Sequence, residues 1–263
     1  MATPKKNHIS FSELKNWNTC PYYHKLVYID GIKVFDGNEH TAFGTAMHDT
    51  CEQLVKLPKE DKTFDAEDFF KNAFLSESKQ IEIKDKKLLR SMYQQGPDLI
   101  EHIVPALEEY FGEFELISTE ERLYEDTDIQ DYKFKGFIDL VLQTSDGKYH
   151  IIDWKTCSWG WDAQRKNERM TTYQLTLYKN YWAKKHGVEH KLIETHFALL
   201  KRTAKNNKVE LFRVTSGAKK MSNALNLLEK AIYNITSKIT LKNKLSCKNR
   251  WGFCDFYNTE HCK

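Results

Sequence analysis

The sequence predicts an α/β fold with a helical elaboration and a Cys-rich C-terminal tail. Three observations lead there. Residues 1 to about 115 carry apolar stripes at helical spacing. Residues 116 to about 240 bring three strand-like stretches, a helix, two more strands and a helix. Residues 241–263 then crowd Cys247, Cys254 and Cys262 into a polar tail. No repeat or low-complexity linker separates these parts, so 1–263 reads as one domain.

Each element has a local reason. Ser10 stands three residues before Glu13, a capping-box spacing that starts a helix over "SELKNW", and Pro21 stops or redirects it. "EHTAFGTAMHDTCEQLVKL" is a second helix with Ala42, Ala46, Leu54 and Val55 on its apolar side. Asp65 caps "AEDFFKNAFLS", and "DKKLLRSMYQQ" and "PDLIEHIVPALEEYFGEF" are separate helices. "ELISTEERLYE" and "YKFKGFIDLVLQ" alternate with period two, and "KYHIIDWKT" follows a Ser-Asp-Gly turn. The helix "ERMTTYQLTLYKNYWAKKHG" stops at Gly187. "KLIETHFALLKRT" and "KVELFRVT" form a hairpin, and Ser216 caps a last long helix.

With 263 residues, 40% hydrophobic and 29% charged, the chain can bury a sizeable core and is not compositionally disordered. It has no apolar run near the ~20 residues that span a bilayer, and "MATPKKNHIS" lacks a signal peptide's apolar segment. An intracellular, cytoplasmic protein is expected, whether in a bacterium, an archaeon or a phage host. A net charge of +3 does not identify a partner. In a reducing compartment the tail cysteines suggest metal or cluster ligation more than disulfides.

"GFIDLVLQTSDGKYHIIDWKT", residues 136–156, sets Asp139, Asp153 and Lys155 inside apolar strand-like runs, where unpartnered charges cost several kcal/mol. A two-residue turn at Asp146-Gly147 would send the two aspartates to opposite faces. A three-residue loop, Ser145-Asp146-Gly147 with Gly147 left-handed, sets Thr144 opposite Lys148 and Asp139 opposite Asp153. Apolar patterning favours the second register. It gathers Ile138, Leu140, Leu142, Ile152 and Trp154 on one face and leaves the acids and Lys155 on the other. Carboxylates that close repel unless a cation lies between them, and oxygen ligands suit Mg²⁺ or Mn²⁺. Ordinary surface ion pairing is the competing account of an Asp-x-Lys pattern.

The segment Gly136-Phe-Ile-Asp139 with Asp153-Trp-Lys155 resembles the core of the PD-(D/E)XK nuclease superfamily, and more narrowly its RecB-like exonuclease branch. Phe43-Gly-Thr-Ala-Met-His48, Gln174-Leu-Thr-Leu-Tyr178 and the opening Ser10-Phe-Ser-Glu-Leu with Cys20-Pro are similar to other elements of that branch, in its order. Residue 138 is Ile where the superfamily name has Pro. The resemblance covers most of the chain. It implies a restriction-endonuclease-like core, a central mixed sheet flanked by helices, over about 116–240, with a helical part over about 1–115 that includes inserted helices between residues 58 and 115.

The resemblance also implies roles. His48, Asp139, Asp153 and the Trp154 main-chain carbonyl would hold Mg²⁺ or Mn²⁺. Lys155 would orient or deprotonate the attacking water, and Gln174 and Tyr178 would position Lys155 or the substrate. An imidazole ligand tilts preference toward manganese. Glu52 and Glu121 are weaker candidates for outer contacts. Trp159, Trp161, Arg165, Lys166 and Arg169 interleave aromatics with cations, a pattern suited to DNA with single-stranded ends. Cys20 with Cys247, Cys254 and Cys262 would hold a 4Fe-4S cluster, as in the iron–sulfur CRISPR-adaptation and AddB-type nucleases. The tail departs from the usual spacing of that group, and Trp251 stands where a close cysteine would be. Zinc on Cys247, Cys254, His261 and Cys262 is the alternative. Cys51 and Cys157 read as buried thiols.

The expected function is a metal-dependent deoxyribonuclease, an exonuclease in recombination, repair or replication, with a helicase or recombination partner. A non-catalytic DNA-binding recombination or packaging subunit and a sequence-specific endonuclease are the alternatives.

Overall fold

A computed structural model describes residues 7–33, 36–57, 63–129, 131–249 and 252–263. Trp251 lies outside the described residues. The elements are β1 (His8–Ser10), α1 (Phe11–Thr19), α2 (Pro21–His24), α3 (Glu39–Lys56), α4 (Ala66–Ser78), α5 (Lys86–Ile100), α6 (Ile103–Phe111), β2 (Phe114–Asp126), β3 (Lys133–Thr144), β4 (Tyr149–Cys157), α7 (Ala163–Lys166), α8 (Arg169–His186), β5 (Ile193–Lys201), β6 (Val209–Val214), α9 (Ala218–Thr236), β7 (Lys248–Asn249) and β8 (Gly252–Phe253).

Side-chain caps set most helix starts. Ser10 accepts from Glu13 N at 3.2 Å, while the Glu13 carboxylate meets the buried His24 ring at 2.8 Å. Asn38 and Thr41 make a reciprocal box at the start of α3. Asp65 and Asp85 cap α4 and α5, and left-handed Gly187 ends α8. The boundary between the expected helices differs: the break falls between α5 and α6, after Ile100, and not at Pro97. α5 runs through Gly96-Pro97 instead of breaking there. Gly96 is the reason packing prevails, since a Cβ there would lie 2.0 Å from the Phe70 ring.

Two compact units make up the chain, one from residues 36–122 and 137–217 and one from 1–35, 123–136 and 218–263. In the first, β4 pairs parallel with β5 and antiparallel with β3, and β5 pairs antiparallel with β6. One face of this mixed sheet sends Leu140, Leu142, Ile152, Trp154, Ala198 and Leu200 into a core with Phe43, Met47, Phe70, Phe74 and Leu107 from the N-terminal helices. Burying each of the Leu, Ile, Phe and Met side chains contributes roughly 1.5–3 kcal/mol before entropy is counted. α8 packs on β4 and β5. Val141, Ile151, Phe197 and Leu199, set on the alternate strand positions, are also fully buried.

In the second unit β1 runs parallel to the start of β3, Ile9 beside Phe134, and α1 packs on α9. Ile9, Leu14, Phe134, Leu228 and Ile232 are fully buried there. The tail forms a small antiparallel pair, β7 with β8. Neither β1 nor this pair carries enough residues to show a period in sequence.

Candidate active site

The β3–β4 loop has the three-residue form. Thr144 N donates to Lys148 O at 3.0 Å, Gly147 has φ of 77°, and the paired register runs from Gln143↔Tyr149 to Leu140↔Ile152. The next step sets Asp139 beside Asp153. There the Trp154 N–H donates at 2.7 Å to Asp139 Oδ2, so a side chain supplies the acceptor. Burial and the neighbouring Asp153 push the Asp139 carboxyl well above the usual carboxylate range.

The other polar groups converge on this pair. His48, from α3, points Nδ1 at Asp139 Oδ2 across 3.5 Å, and the Trp154 carbonyl lies beside its ring. Burial brings His48 down to about 4 against the pull of Asp153, so its imidazole is a neutral lone-pair donor at neutral pH. Lys155 Nζ lies 2.5 Å from the buried Asp153 Oδ2. Burial disfavours its charge, but Asp153 and Asp139 outweigh burial and raise its pKa. From α8, Gln174 Nε2 donates to Asp153 Oδ1 at 2.8 Å and to the Tyr178 hydroxyl at 3.3 Å. Their i, i+4 spacing on one helix face gives this shared reach.

Sequence reasoning missed one acid. Glu120 joins His48 and Asp139 in a group whose ligand atoms all lie within 4.8 Å of one another. Glu120 sits inside β2 with φ of 45°, a left-handed conformation that disrupts strict strand alternation. Glu121 instead accepts from Trp182 Nε1 at 2.9 Å and from Lys185 Nζ at 2.7 Å. Burial would raise its pKa, but these and other hydrogen bonds hold it down to about 2. Glu52 pairs with Lys56 and accepts from Thr119 Oγ1 at 3.3 Å.

The donor set fits a hard divalent cation. It offers two close carboxylates that repel when both are ionised, a neutral imidazole, a main-chain carbonyl and a third carboxylate.

The segment after β4 divides. Trp159 is 80% exposed, whereas Trp161 packs on Phe197 at 5.2 Å between ring centroids. Arg165 stacks on Trp161 at 4.5 Å, Lys166 pairs with Glu210, and Arg169 is exposed. Exposed Trp159, Arg165 and Arg169 therefore have room for an outside ligand. Trp161 and Lys166 already hold the loop down.

In the other unit, Cys20, Cys247, Cys254 and Cys262 all line one cavity of about 750 Å³, and none is in a disulfide. Asn243 N donates to Cys20 Sγ at 3.4 Å. Burial, Asp255 and the Cys247 and Cys20 sulfurs raise the Cys254 thiol pKa. The His261 ring stands edge-on to Phe256, and His261 is not among the cavity's lining residues. Cys51 is fully buried, and Cys157 is partly so.

The family model described as the PD-(D/E)XK nuclease superfamily matches residues 8–259. No curated protein matches the sequence. A solved structure from Eubacterium rectale, named "Putative exonuclease", is 14% identical with a TM-score of 0.62, covering 96% of this chain and 88% of that one. That likeness is one of fold. The structure of SSO0001, also 14% identical, covers 97% of this chain and 86% of that one at a TM-score of 0.42, too low to carry an argument.

Proposed function

The chain belongs to the PD-(D/E)XK nuclease superfamily, and from that membership we propose that it is a divalent-metal-dependent deoxyribonuclease acting as an exonuclease. The observation that carries this reading is the convergence of His48, Asp139, Asp153 and Lys155 on one space. The fold likeness to the Eubacterium rectale protein named for an exonuclease agrees with it.

His48, Asp139, Asp153 and the Trp154 carbonyl would hold Mg²⁺ or Mn²⁺, with Glu120 alongside. When bound, the cation lowers the pKa of the attacking water and neutralises phosphate charge. Lys155 sets an ammonium where negative charge develops on the phosphate, and orients the attacking water. Gln174 fixes Asp153 through Oδ1, which leaves Oδ2 for Lys155 and the cation. Tyr178 holds Gln174 in that position. Trp159, Arg165 and Arg169 supply stacking and phosphate contacts to a single-stranded end.

The tail cavity is suited to a 4Fe-4S cluster. Four unpaired cysteines line it, with one N–H donor already on a sulfur. Zinc thiolates would stand roughly 3.8 Å apart, from Zn–S bonds of about 2.3 Å. Among the described residues, no group of three ligand atoms within 4.8 Å contains a tail cysteine or His261.

End-labelled single- and double-stranded DNA, incubated with the protein and Mg²⁺, Mn²⁺ or EDTA, tests the reading. The expected result is stepwise loss of nucleotides from an end with either metal and none with EDTA. Binding without cleavage would replace the nuclease by a DNA-binding subunit, and discrete internal cuts would replace the exonuclease by an endonuclease.

A further inference from the structure

The chain carries a second cluster of metal-ligating side chains, toward the opposite end of β4 from Asp153 and Lys155. β4 and β5 set His150 beside Glu194 and Ile152 beside His196. Strand alternation therefore puts His150, Glu194 and His196 on the face that carries Ile152, Trp154, Ala198 and Leu200 into the core. His150 is 7% exposed and His196 is 2% exposed. One ligand atom from each of the three residues lies within 4.8 Å of the other two.

Hydrogen bonding fixes the tautomers. Thr144 Oγ1 has one proton, and the Asp146 carboxylate takes it at 2.6 Å. Thr144 therefore accepts from His150 Nε2–H at 2.9 Å, which leaves the lone pair of His150 on Nδ1. That atom faces His196 Nε2 at 3.1 Å, and His196 Nδ1 is buried with no hydrogen-bond partner among the described residues. Burial keeps both rings neutral at pH 7, bringing His196 down to about 3 and lowering His150.

A tetrahedral zinc ion with Zn–N bonds near 2.05 Å separates two ligand nitrogens by roughly 3.3 Å. The two imidazoles are thus already at near-ligand spacing, and Thr144 makes the outer hydrogen bond that orients a metal-bound histidine.

We propose that His150, His196 and Glu194 form a second metal site, for zinc or a similar divalent transition ion, separate from the site at Asp139 and Asp153. It does not depend on the nuclease reading. On loading, the His196 proton moves from Nε2 to the unpartnered Nδ1, and Nε2 and His150 Nδ1 give their lone pairs to the ion. No proton is released. Glu194 exchanges its ion pairs with Arg213, at 3.1 Å, and Lys148, at 3.7 Å, for the metal. The ion would pin the adjoining ends of β4 and β5 beside Phe111, whose ring lies tilted against His150 and edge-on to His196.

The test uses the full chain carrying Asp139→Asn and Asp153→Asn, titrated with Zn²⁺ against a chelator and with Co²⁺ by visible absorption. Beyond any metal held by the tail cysteines, one ion should bind with d–d bands that lack thiolate charge transfer. His150→Ala should weaken binding at least ~100-fold, and Thr144→Val by ~10–100-fold. Arg213→Gln should strengthen it several-fold, because it removes a competing cation from Glu194. The Arg213 side chain is 55% exposed, so this variant stays informative even if a buried histidine variant fails to fold. Equal affinity in the unaltered cluster and His150→Ala, or weaker binding in Arg213→Gln, overturns the proposal.

Discussion

The main-chain N–H of Trp154 donates to Oδ2 of Asp139 across 2.7 Å, so an acid at the candidate metal site is also part of the sheet's hydrogen bonding. Trp154 is 1% exposed, and removing its acceptor leaves a buried donor that costs about 1–3 kcal/mol. Asp139→Asn keeps an acceptor and should lower Mn²⁺ affinity with little change in melting temperature. Asp139→Ala should lower both. Calorimetry of metal binding beside thermal melts checks the separation, and equal melting temperatures for the two variants would refute it.

Lys155 pairs with Asp153 and faces the space between the acids. Lys155→Ala should lower kcat by ~10²–10⁴-fold, the range for loss of one positioned charge or proton-transfer group. DNA affinity in Ca²⁺ should change less than threefold, because the group acts on the transition state more than on the ground state. Wild-type turnover in this variant would place any cleavage elsewhere.

Glu120 holds a left-handed backbone at φ 45° that glycine adopts without strain. Glu120→Gly should therefore raise unfolding stability by about 1 kcal/mol while weakening metal binding ~10-fold. Urea melts and Mn²⁺ titration measure the two effects. A destabilised variant with unchanged metal affinity would assign Glu120 to the scaffold alone.

Acid should unfold metal-free protein in two stages. His196 and His48 have folded pKa values brought down by burial to about 3 and about 4, below the usual 6.5. For these two histidines the unfolded chain binds more protons below pH 6.5, so stability falls as the pH drops, offset in part by Asp139, whose raised carboxyl takes up a proton first in the folded state. For His196 alone the loss by pH 4 is on the order of 3 kcal/mol. Glu121, held at about 2, adds a second loss below its usual 4.5. Urea midpoints between pH 8 and 3 follow both, and His196→Gln should flatten the first stage. A flat profile from pH 6.5 to 4.5 would contradict the assignment.

The pairing of Asp139 with Asp153 was legible in sequence because one register alone gathers Ile138, Leu140, Leu142, Ile152 and Trp154 on one face and Gly147 permits the loop it needs. Glu120 was not legible. Alternation puts Glu121 and Asp139 in play, and only the backbone shows the left-handed residue that brings Glu120 to His48. Pro97 pointed to a helix boundary that packing of Gly96 on Phe70 overrides. Trp161 and Trp159 looked alike in a basic segment, yet one packs on Phe197 and the other stands in solvent. Such distinctions depend on contacts between distant segments, which a local pattern does not contain.

The tail cysteines give the last prediction. Cys20, Cys247, Cys254 and Cys262 line one cavity, while His261 packs on Phe256. Anaerobically purified protein should be brown, absorb broadly near ~400 nm as thiolate-ligated iron does, and contain about four irons. Cys20→Ser should bleach that absorption and lower the melting temperature, because the ligand from the N-terminal helix closes a long loop onto the tail. His261→Ala should leave the iron content unchanged. A colourless protein with one zinc per chain, lost in His261→Ala, would replace the cluster with the zinc site, and folded protein free of both metals would exclude the two together.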